Sequence, residues 1–585
     1  MNNMYTHHNN ALTMTDIGKT VRLKGFVAKR RDLGNLVFID LRDTEGITQL
    51  AFDADNDLRN IAANIKNEYV LDIEGVVRER SSKNKDINTG DIEIDVTKLI
   101  VLNTAKQPPI TITDDTTALE DTRLKYRYLD LRRPVLQSMM KLRHKITRAV
   151  RDFLNEENFL DIETPVLTAS TPEGARDYVV PSRIHKGSFY ALPQSPQLFK
   201  QLLMVSGFER YYQIAKCFRD EDLRSDRQPE FTQIDMELSF THQEEVLDVS
   251  ERMMKYVLKD VMNLDIKEKF KRMTYDEAMA KYGSDKPDTR FAMTLNDLSS
   301  VLKDTNFNVF KGILDQGGSI QGITVENGDY YSRKKIDGLT KEVKKFGAKG
   351  LSYIKLSDGE LSGSIVKFLS EEELAAIKST TNLAEGNVLF IVASTLKTTR
   401  QALGHLRNVI AKEQDLIDND VYDFTWIVDW PMFEYDKEEN RYYSLHHPFT
   451  RIQDQDADKI KDDPEGIKAY CYDLVAQGQE LGGGSMRIHE EMMQRTVFDV
   501  LGLTKEEQDT KFGFFTEALK YGTPPHGGIA FGLDRLVMML GKTDNIRDVI
   551  AFPKTSSAQC LMTQAPSPIQ AGQLELFDLT KKHGK

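Results

Sequence analysis

Cysteine and long apolar runs are both scarce in this chain of 585 residues. The three cysteines, Cys217, Cys471 and Cys560, are odd in number and lie far apart, so they support neither a disulfide framework nor a zinc site. No window approaches the ~20 consecutive apolar residues that a membrane-spanning helix needs. The first ten residues are polar and do not resemble a secretion signal. These absences predict a cytoplasmic protein without a membrane anchor.

Positive charge is also in deficit, because 78 Lys and Arg stand against 90 Asp and Glu, a formal net charge of −12. This balance excludes a non-specific polycationic nucleic-acid binder but allows a local basic patch, since steering depends on where charge lies. The contents of 40% hydrophobic and 29% charged residues are those of an ordinary globular protein. At ~150 residues per domain, the length predicts about four domains.

The composition changes along the chain and predicts an α/β multidomain protein. Short strand-like runs with Gly, Asn and Asp turns predict a small β-barrel of the OB-fold type over residues 1–105. A polar, threonine-rich linker follows over 106–135. Helical periodicity then begins a domain over 136–292, which resumes over 415–585. The lysine-rich, glycine-punctuated segment 293–414 between them is predicted to be an inserted domain.

A charged hairpin carries the first candidate chemistry. Arg219 ends one strand-like stretch, and Phe231 begins the next after a loop dense in charge. An arginine at a strand end can hold a phosphate through its planar fork, and a phenylalanine across the hairpin can stack on a purine. The alternative is a solvated hairpin with surface ion pairs, which contribute little.

A glycine-rich turn is the second segment with candidate binding chemistry. The run from Gly527 to Gly532 lets the backbone approach a ligand closely, and the apolar run after Arg535 predicts a helix whose N-terminal end could face phosphate. A glycine-rich turn alone is weak evidence of nucleotide binding. The P-loop pattern of the competing nucleotide-binding fold is absent from the sequence.

In this order, the two clusters resemble motifs 2 and 3 of the class II aminoacyl-tRNA synthetases. Phe153 to Pro165 resembles motif 1, a helix and a strand that serve the dimer interface in that class; Asn158 replaces a frequent glycine there but tolerates the same left-handed conformation. Four further segments resemble the bacterial-type aspartyl-tRNA synthetases of subclass b: residues 171–178, 194–200, 444–450 and 480–487. The resemblance covers residues 18–566 and implies an OB-fold barrel, an antiparallel-sheet catalytic domain with helices, and an inserted α/β domain of the GAD type.

The resemblance implies how ATP is held. Arg219 would bind the α-phosphate and Arg535 the γ-phosphate, while Phe231 would stack on the adenine. Asp473 and Glu480 would bind Mg²⁺, which suits hard oxygen ligands and substrate phosphates. Arg219, Glu480 and Arg535 are the catalytic candidates. The other ATP-binding candidates are Asp220, Glu221, Gln228, Gly532, Leu533 and Asp534.

The aspartate candidates have a basis in residue chemistry as well as in the resemblance. Lys200, Arg487 and the paired histidines His446 and His447 are donors suited to a second carboxylate, although each alone could be an unrelated structural group. By the resemblance, Lys200 and Arg487 neutralise the substrate side chain with His446 nearby, and Arg219 also contacts the substrate. The residues that would bind the ammonium group of the substrate aspartate are Glu173, Ser195, Gln197 and Asp235.

The N-terminal barrel resembles an anticodon-binding domain, in which bases are read by stacking and edge hydrogen bonds. The candidates there are Arg30, Arg31, Leu33, Phe38 and Gln49. Phe38 could alternatively belong to the barrel core. Enzymes that also charge tRNA(Asn) often carry histidine where this chain has Leu33, which favours the form specific for tRNA(Asp).

The resulting prediction is an aspartate–tRNA ligase with L-aspartate, ATP and tRNA(Asp) as substrates, Mg²⁺ as cofactor, and a homodimer formed through motif 1. A first alternative is the non-discriminating enzyme that also charges tRNA(Asn). A second, of another class, is a synthetase-like paralogue that binds or regulates without charging; such paralogues typically lack a motif arginine or the anticodon domain, and both are present here. Asparaginyl or lysyl specificity is disfavoured by Lys200 and Arg487 and by the large insertion.

Overall fold

The computed structural model describes residues 5–170 and 175–579. These residues form two compact units. The first lies within Met1–His144, Leu223–Gln228 and Asn545–Gln570, and the second within Lys145–Asp222, Pro229–Asp544 and Ala571–Lys585. Among the helices of the described ranges, none is long and apolar enough to cross a membrane.

The first unit contains the predicted barrel. Five strands close in the order β1-β2-β3-β5-β4, and a short helix, α1, lies between β3 and β4. Alternate residues such as Val21, Leu23 and Ile73 point into a common apolar core, as period-two strands require. Gly75 lies at a register shift where an added Cβ would be 2.4 Å from the carbonyl oxygen of Asp95, so only glycine fits this bend. The OB-fold prediction is confirmed; the bounds are β1 Thr20–Asp32, β2 Val37–Arg42, β3 Ile47–Phe52, α1 Arg59–Ala62, β4 Val70–Glu79 and β5 Ile92–Asn103.

The predicted linker has secondary structure of its own. It contains α2 (Glu120–Lys125) and α3 (Arg127–Asp130), and the long helix α4 (Pro134–Glu156) begins inside it. The proline opens α4 where its missing N–H is not needed. Within the first unit, the buried Arg127 donates to the Asp130 carboxylate at 2.8 Å and to the Ala551 carbonyl at 2.9 Å. The polar composition of this segment therefore reflects local turns and ion pairs; the domain boundaries stay a prediction.

The second unit is built on an eight-stranded sheet of order β11-β17-β20-β21-β22-β10-β9-β6. All neighbouring pairs are antiparallel except β11 with β17 and β6 with β9. Before the sheet's edge strand β6, Asn158 adopts φ 62°, the left-handed conformation expected of it. The elements of its first part are β6 Leu160–Asp161, β7 Val179–Pro181, β8 Phe189–Ala191, α5 Gln197–Val205, β9 Arg210–Phe218, β10 Glu230–Ser239, α6 Gln243–Met262, β11 Lys271–Thr274 and α7 Tyr275–Tyr282.

The inserted segment forms its own sheet of order β12-β13-β16-β14-β15. Along β16, Val388, Phe390 and Val392 pack with α9 and α11, whereas Leu389 and Ile391 pack with α8 and α10. Helices thus cover both faces, which confirms an inserted α/β domain. Its elements are β12 Leu295–Asp297, α8 Asn308–Leu314, β13 Ser319–Val325, α9 Arg333–Lys344, β14 Ser352–Ser357, β15 Glu360–Gly363, α10 Glu371–Thr381, β16 Val388–Ser394 and α11 Leu396–Glu413.

The chain then completes the large sheet. Its strands β20, β21 and β22 lie between β17 and β10, so residues far apart in sequence become neighbours; Ile234 of β10 pairs with Phe531 of β22. The remaining elements are β17 Phe424–Pro431, β18 Phe433–Asp436, β19 Arg441–Ser444, β20 Lys468–Ala476, β21 Gln479–Met486, α12 Glu491–Val500, α13 Lys505–Ala518, β22 His526–Gly532, α14 Leu533–Leu540 and α15 Ala571–Leu576.

Candidate active site

A buried cluster of four charged side chains lies on the large sheet. Asp235 and Glu237 are two residues apart on β10, so their side chains share a face. Lys200 of α5 donates to Asp235 Oδ1 at 2.6 Å and lies 3.3 Å from Glu237 Oε2. Arg487, which follows β21, forms a bidentate pair with Glu237 at 2.9 and 3.1 Å. Each of the four is at most 2% exposed, so the cluster has no charge screening from water.

The two carboxylates of this cluster respond differently to burial. Burial opposes ionisation of Glu237, but the charges of Arg487 and Lys200 outweigh it, so the pKa of Glu237 lies below its ordinary value. Burial raises the pKa of Asp235, although Lys200 opposes the shift. Asp235 Oδ2 is buried and has no hydrogen-bond partner within the described ranges. The cluster thus contains one carboxylate, Glu237, that is fully ion-paired, and a second, Asp235, with one oxygen that can accept a further hydrogen bond.

Arg487 makes further contacts with its third nitrogen. Nη1 donates to Ser485 Oγ at 2.7 Å and lies 2.6 Å from Nε2 of His447. Burial lowers the pKa of His447 well below its ordinary value, so the ring is neutral beside the guanidinium. His446 also has its pKa lowered by burial, to about 4, and packs edge-on against Trp430 with ring centroids 4.7 Å apart. The predicted histidine therefore lies against the apolar wall, while its neighbour His447 contacts Arg487.

A directed chain of hydrogen bonds orients Gln197. Burial lowers the pKa of His526 to about 4, so this ring carries one proton. Its Nδ1 lies 2.8 Å from the Pro524 carbonyl and must donate to it, which leaves Nε2 to accept from Gln201 at 3.3 Å. The Gln201 oxygen then accepts from Gln197 Nε2 at 3.1 Å. The Gln197 side chain is thereby oriented, with one of its amide N–H groups donating to Gln201. Ser195 Oγ accepts from the backbone N–H of Gln197 at 3.3 Å.

The phosphate-binding candidates lie at the ends of β9, β10 and β22. The guanidinium of Arg219 lies over the ring of Phe231, 5.1 Å from its centroid, so one face of that ring is covered by a cation. Nε of Arg219 is buried without a hydrogen-bond partner in the described part of the chain. Arg535 donates to the Glu480 carbonyl at 3.1 Å, and its guanidinium lies 3.8 Å from the Glu480 carboxylate. Arg219 thus keeps a donor for a further group at this half-buried edge of the sheet.

The magnesium candidates Asp473 and Glu480 lie on either side of a glycine. Asp473 of β20 is buried, and its Oδ1 has no partner among residues 5–170 and 175–579. A Cβ on Gly483 would lie 2.6 Å from that oxygen and 3.2 Å from Glu480 Oε1, so glycine leaves a cradle between two carboxylates. Burial and the neighbouring Glu480 charge raise the pKa of Asp473 well above its ordinary value. No cluster of three or more His, Cys, Asp or Glu ligands occurs in the described ranges, but two carboxylates fit a cation whose other ligands are phosphates and water.

The other ATP candidates have structural partners. The Asp534 carboxylate, buried at the start of α14, accepts from the backbone N–H of Thr232 at 2.9 Å and holds β10 in place. Leu533 is buried, and Gly532 pairs with Gln233 across the sheet. The backbone N–H of Asp220 donates to the Arg176 carbonyl at 3.0 Å, and Glu221 is half-buried.

Gln228 belongs to the first unit, where it exchanges two hydrogen bonds with the Lys554 backbone. Glu173 lies outside the described residues.

In the barrel, Arg31 contacts two other anticodon candidates. Its Nη2 donates to Gln49 Oε1 at 2.7 Å, and its guanidinium lies 5.8 Å from the ring centroid of Phe38. Phe38 is half-buried between the core residues Val37 and Ile39, so it lies on the outer face, and the alternative of a core residue is wrong. Gln49 is buried and also donates to Glu93 at 2.7 Å, which engages both ends of its amide. Arg30 is half-buried, and Leu33 is 68% exposed just after β1.

The sequence analysis missed Glu237, Gln201, Ser485 and His526. The position of Glu237 two residues after Asp235 indicates that both side chains lie on one face of a strand. Charged residues at that spacing also occur on solvated strands, so the spacing alone does not identify a site residue. The other three residues are ordinary polar groups whose role depends on partners distant in sequence. Their contribution becomes visible when β10, β21 and β22 are adjacent.

Two family models match the chain: tRNA synthetases class II (D, K and N) over residues 119–556, and OB-fold nucleic acid binding domain over residues 21–102. The Aspartate--tRNA(Asp/Asn) ligase of Bacillus cytotoxicus is 55% identical over 579 residues, and that of Geobacillus sp. WCH70 is 54% identical, each covering 98% of both chains. Asparaginyl-tRNA synthetase from Pyrococcus horikoshii, complexed with asparaginyl-adenylate, shares the fold at a TM-score of 0.58 and 18% identity, over 92% of this chain and 96% of that chain. The chain belongs to the class II aminoacyl-tRNA synthetases, within the family of bacterial aspartate–tRNA ligases.

Proposed function

We propose that this chain activates L-aspartate with ATP to aspartyl-adenylate and transfers the aspartyl group to the 3′-terminal adenosine of tRNA(Asp). The observation that carries the proposal is the buried cluster of Lys200, Asp235, Glu237 and Arg487. Its cations suit the side-chain carboxylate of aspartate, and Asp235 Oδ2 suits the ammonium group. Asparagine would bring amide hydrogens against these donors, and a site built to pair a buried polar group rejects such an analogue by ~10⁴ or more.

The chemistry needs no covalent nucleophile from the protein. The α-carboxylate of aspartate attacks the α-phosphorus of ATP, and pyrophosphate leaves. Arg219 stabilises the charge that builds on the α-phosphate, while Arg535 holds the γ-phosphate; preorganised donors of this kind are usually the largest catalytic contribution. A ribose hydroxyl of the tRNA then attacks the adenylate carbonyl and AMP leaves. Catalysis is thus positioning and electrostatics.

Asp473 and Glu480 would hold Mg²⁺. An ion held there would neutralise phosphate charge, and two carboxylates leave its other ligand positions to substrate oxygens and water. Glu480 also accepts Arg535 through its backbone carbonyl, so the same residue positions the γ-phosphate donor. The proposal includes a homodimer through α4 and β6, where the edge strand leaves Leu160 51% exposed and the following Leu167 53% exposed.

Arg487→Leu tests the amino-acid specificity. Breaking the buried pair should cost aspartate activation ~3–5 kcal/mol, while ATP affinity, measured separately, is retained. Aspartate-dependent pyrophosphate exchange across an aspartate titration is the measurement. Because Arg487→Leu leaves Glu237 with one cation, the double variant Arg487→Leu with Glu237→Leu serves as the control: it removes both partners, restores folding and still lacks the carboxylate donor. Unchanged aspartate dependence in either folded variant would overturn the assignment.

Charging of tRNA(Asn) is a second candidate activity, favoured by the names of the relatives, which are tRNA(Asp/Asn) ligases. Against it stands Leu33, exposed at the turn after β1. Charging purified tRNA(Asp) and tRNA(Asn) side by side with labelled aspartate decides between them. If the parent charges tRNA(Asp) alone, Leu33→His should increase tRNA(Asn) charging without changing adenylate formation. Equal charging of both tRNAs by the parent identifies the non-discriminating enzyme.

A further inference from the structure

The inserted domain carries a basic face that the proposed function does not use. Residues 333–349, which are α9 and the loop after it, contain seven Lys or Arg and two Asp or Glu in a chain of net charge −12. A local positive field on an acidic protein acts where it lies and attracts anionic partners to that place.

The helix geometry puts this charge on one side. Ile336, Leu339 and Val343 are the buried residues of α9, at the spacing of one helix face. Positions 334, 338, 341 and 345 lie on the opposite face, spanning about 16 Å at ~1.5 Å per residue. We define the basic face as Arg333, Lys334, Gly338, Lys341, Lys344 and Lys345; all six are exposed.

Most of these cations have no internal partner. Within the described ranges, Lys334, Lys341 and Lys344 have no carboxylate oxygen within 4 Å, although Asp337 lies on the same helix. Lys345 does pair with Glu342 at 2.7 Å, and His405 pairs with the same carboxylate at 2.9 Å. The basic face therefore keeps its positive charge available to a partner.

Gly338 interrupts the lysines in the middle of α9. A glycine in a helix interior is unfavourable relative to alanine, and close packing does not require it here, because an added Cβ would have no neighbour within 4 Å. It makes a flat position between Lys334 and Lys341, where a backbone could approach the helix closely. Tyr330 and Phe346, 38% and 37% exposed, flank α9 in sequence before and after it. Lys335 covers one face of the Tyr330 ring and His405 packs against Phe346, so only the remaining exposed part of each ring is open to a base.

We propose that the basic face binds the phosphate backbone of RNA, and that the tRNA substrate makes a contact there in addition to its contact with the barrel. The inference rests on the proposed function, since the RNA it names is the tRNA that the enzyme charges. RNA is favoured over an acidic protein because phosphates match a row of unpaired lysines and exposed aromatic rings can stack on bases.

The experiment is salt-dependent binding of a tRNA(Asp) transcript to the full chain. Lys334→Gln, Lys341→Gln and Lys344→Gln are combined in one variant, and Lys303→Gln, Lys311→Gln and Lys378→Gln, exposed positions elsewhere in the inserted domain, form a control with the same charge change. Each lost phosphate contact lowers the slope of log affinity against log salt by about 0.7–0.9. The basic-face variant should lose about 2 from the slope and bind about tenfold more weakly near 0.1 M salt, whereas the control keeps the parent's slope.

Equal slopes in the parent and both variants, or equal losses in both variants, would overturn the proposal. Poly-L-glutamate is the second probe: binding that depends on the basic face as strongly as tRNA binding does would also overturn it, in favour of an acidic protein. Gly338→Gln, which keeps every charge, should weaken tRNA binding several-fold while thermal stability is retained or slightly raised, because glycine is unfavourable in a helix interior. Pyrophosphate exchange without tRNA is measured throughout: its absence in the parent refutes the proposed function, whereas normal exchange with equal slopes refutes this inference alone.

Discussion

The two ends of the candidate site differ in how the protein satisfies their charges. At the end proposed to bind aspartate, Lys200 and Arg487 are buried and paired with Asp235 and Glu237. At the phosphate end, Arg219 is half-buried with an unpaired Nε, and the Asp473 oxygen next to the Gly483 cradle is also unpaired. The first arrangement stabilises one geometry before substrate arrives; the second keeps donors and acceptors for groups that the substrate supplies. In the proposed function, specificity and chemistry would therefore depend on different electrostatic environments on one sheet.

Glu237→Gln should have the largest effect, because it removes the carboxylate that Arg487 and Lys200 share. Lys200 keeps Asp235, but leaving the buried Arg487 without a carboxylate partner costs ~3–5 kcal/mol. Urea unfolding of the variant should shift accordingly, with aspartate-dependent pyrophosphate exchange lost. Glu480→Gln is the matched control for stability at the half-exposed phosphate end, and its unfolding should change by less than ~1 kcal/mol. Equal destabilisation by both would remove the distinction between the two ends.

Arg219→Ala should leave stability nearly unchanged and reduce pyrophosphate exchange by ~10²-fold or more, as for the loss of a main charge-stabilising donor. The reason is that its guanidinium contacts Phe231 but has no ion pair in the described ranges to lose. Thermal unfolding is recorded beside the exchange rate. Near-normal exchange in a folded variant would contradict the role of the β9–β10 hairpin.

The pH dependence of stability should enter through the buried histidines. His526 has a pKa of about 4 in the folded chain and an ordinary value of 6.5 when unfolded, so the unfolded state takes up the proton first as pH falls. The contribution of neutral His526 to the free energy of unfolding is present in full above pH 6.5. It decreases as the pH falls towards 4, and roughly 2 kcal/mol of it is lost at pH 5. Urea titrations at pH 7.5 and pH 5 measure the decrease, which should be smaller by that amount in His526→Gln. A decrease of the same size in the variant would assign the pH dependence to other groups.

Gln201→Leu should have the smallest effect and act on aspartate affinity. It breaks the chain from His526 to Gln197, so the Gln197 amide loses its fixed orientation; a lost hydrogen bond of this kind is worth ~1 kcal/mol, or roughly 5–10-fold in KM for aspartate. KM for ATP should be unchanged. Gln494→Leu is the matched control, because Gln494 is a buried glutamine that donates to the Pro448 carbonyl and does not belong to the hydrogen-bond series from His526 to Gln197. Equal changes in both variants would show a general packing effect.

Much of the fold could be predicted from the sequence, because strand alternation in the barrel and the three ordered motifs are local patterns. The composition indicated an inserted domain, whereas its α/β class followed only from the resemblance to the bacterial family. The internal partners of individual residues were less accessible: Asp534 also accepts from the Thr232 backbone, and Gln49 also pairs with Arg31 and Glu93. The proposed contacts of Asp534 with ATP and of Gln49 with tRNA stay predictions. Glu237 was missed because a strand glutamate is usually solvated, and its pairing with Arg487 depends on the sheet that joins positions 250 residues apart.

The strand order has a consequence for how this chain folds during synthesis. Strand β10 ends at Ser239, and the strand that covers its edge begins with that residue's partner, His526. At about 5–20 residues per second, the intervening chain takes roughly 15–60 s to emerge. During that interval the β9–β10 hairpin has an open edge with Ile234, Met236 and Leu238, all buried in the finished sheet, while the inserted domain can already complete its own core. The nascent chain therefore carries an unpaired apolar strand edge of the kind that promotes aggregation until its last strands arrive.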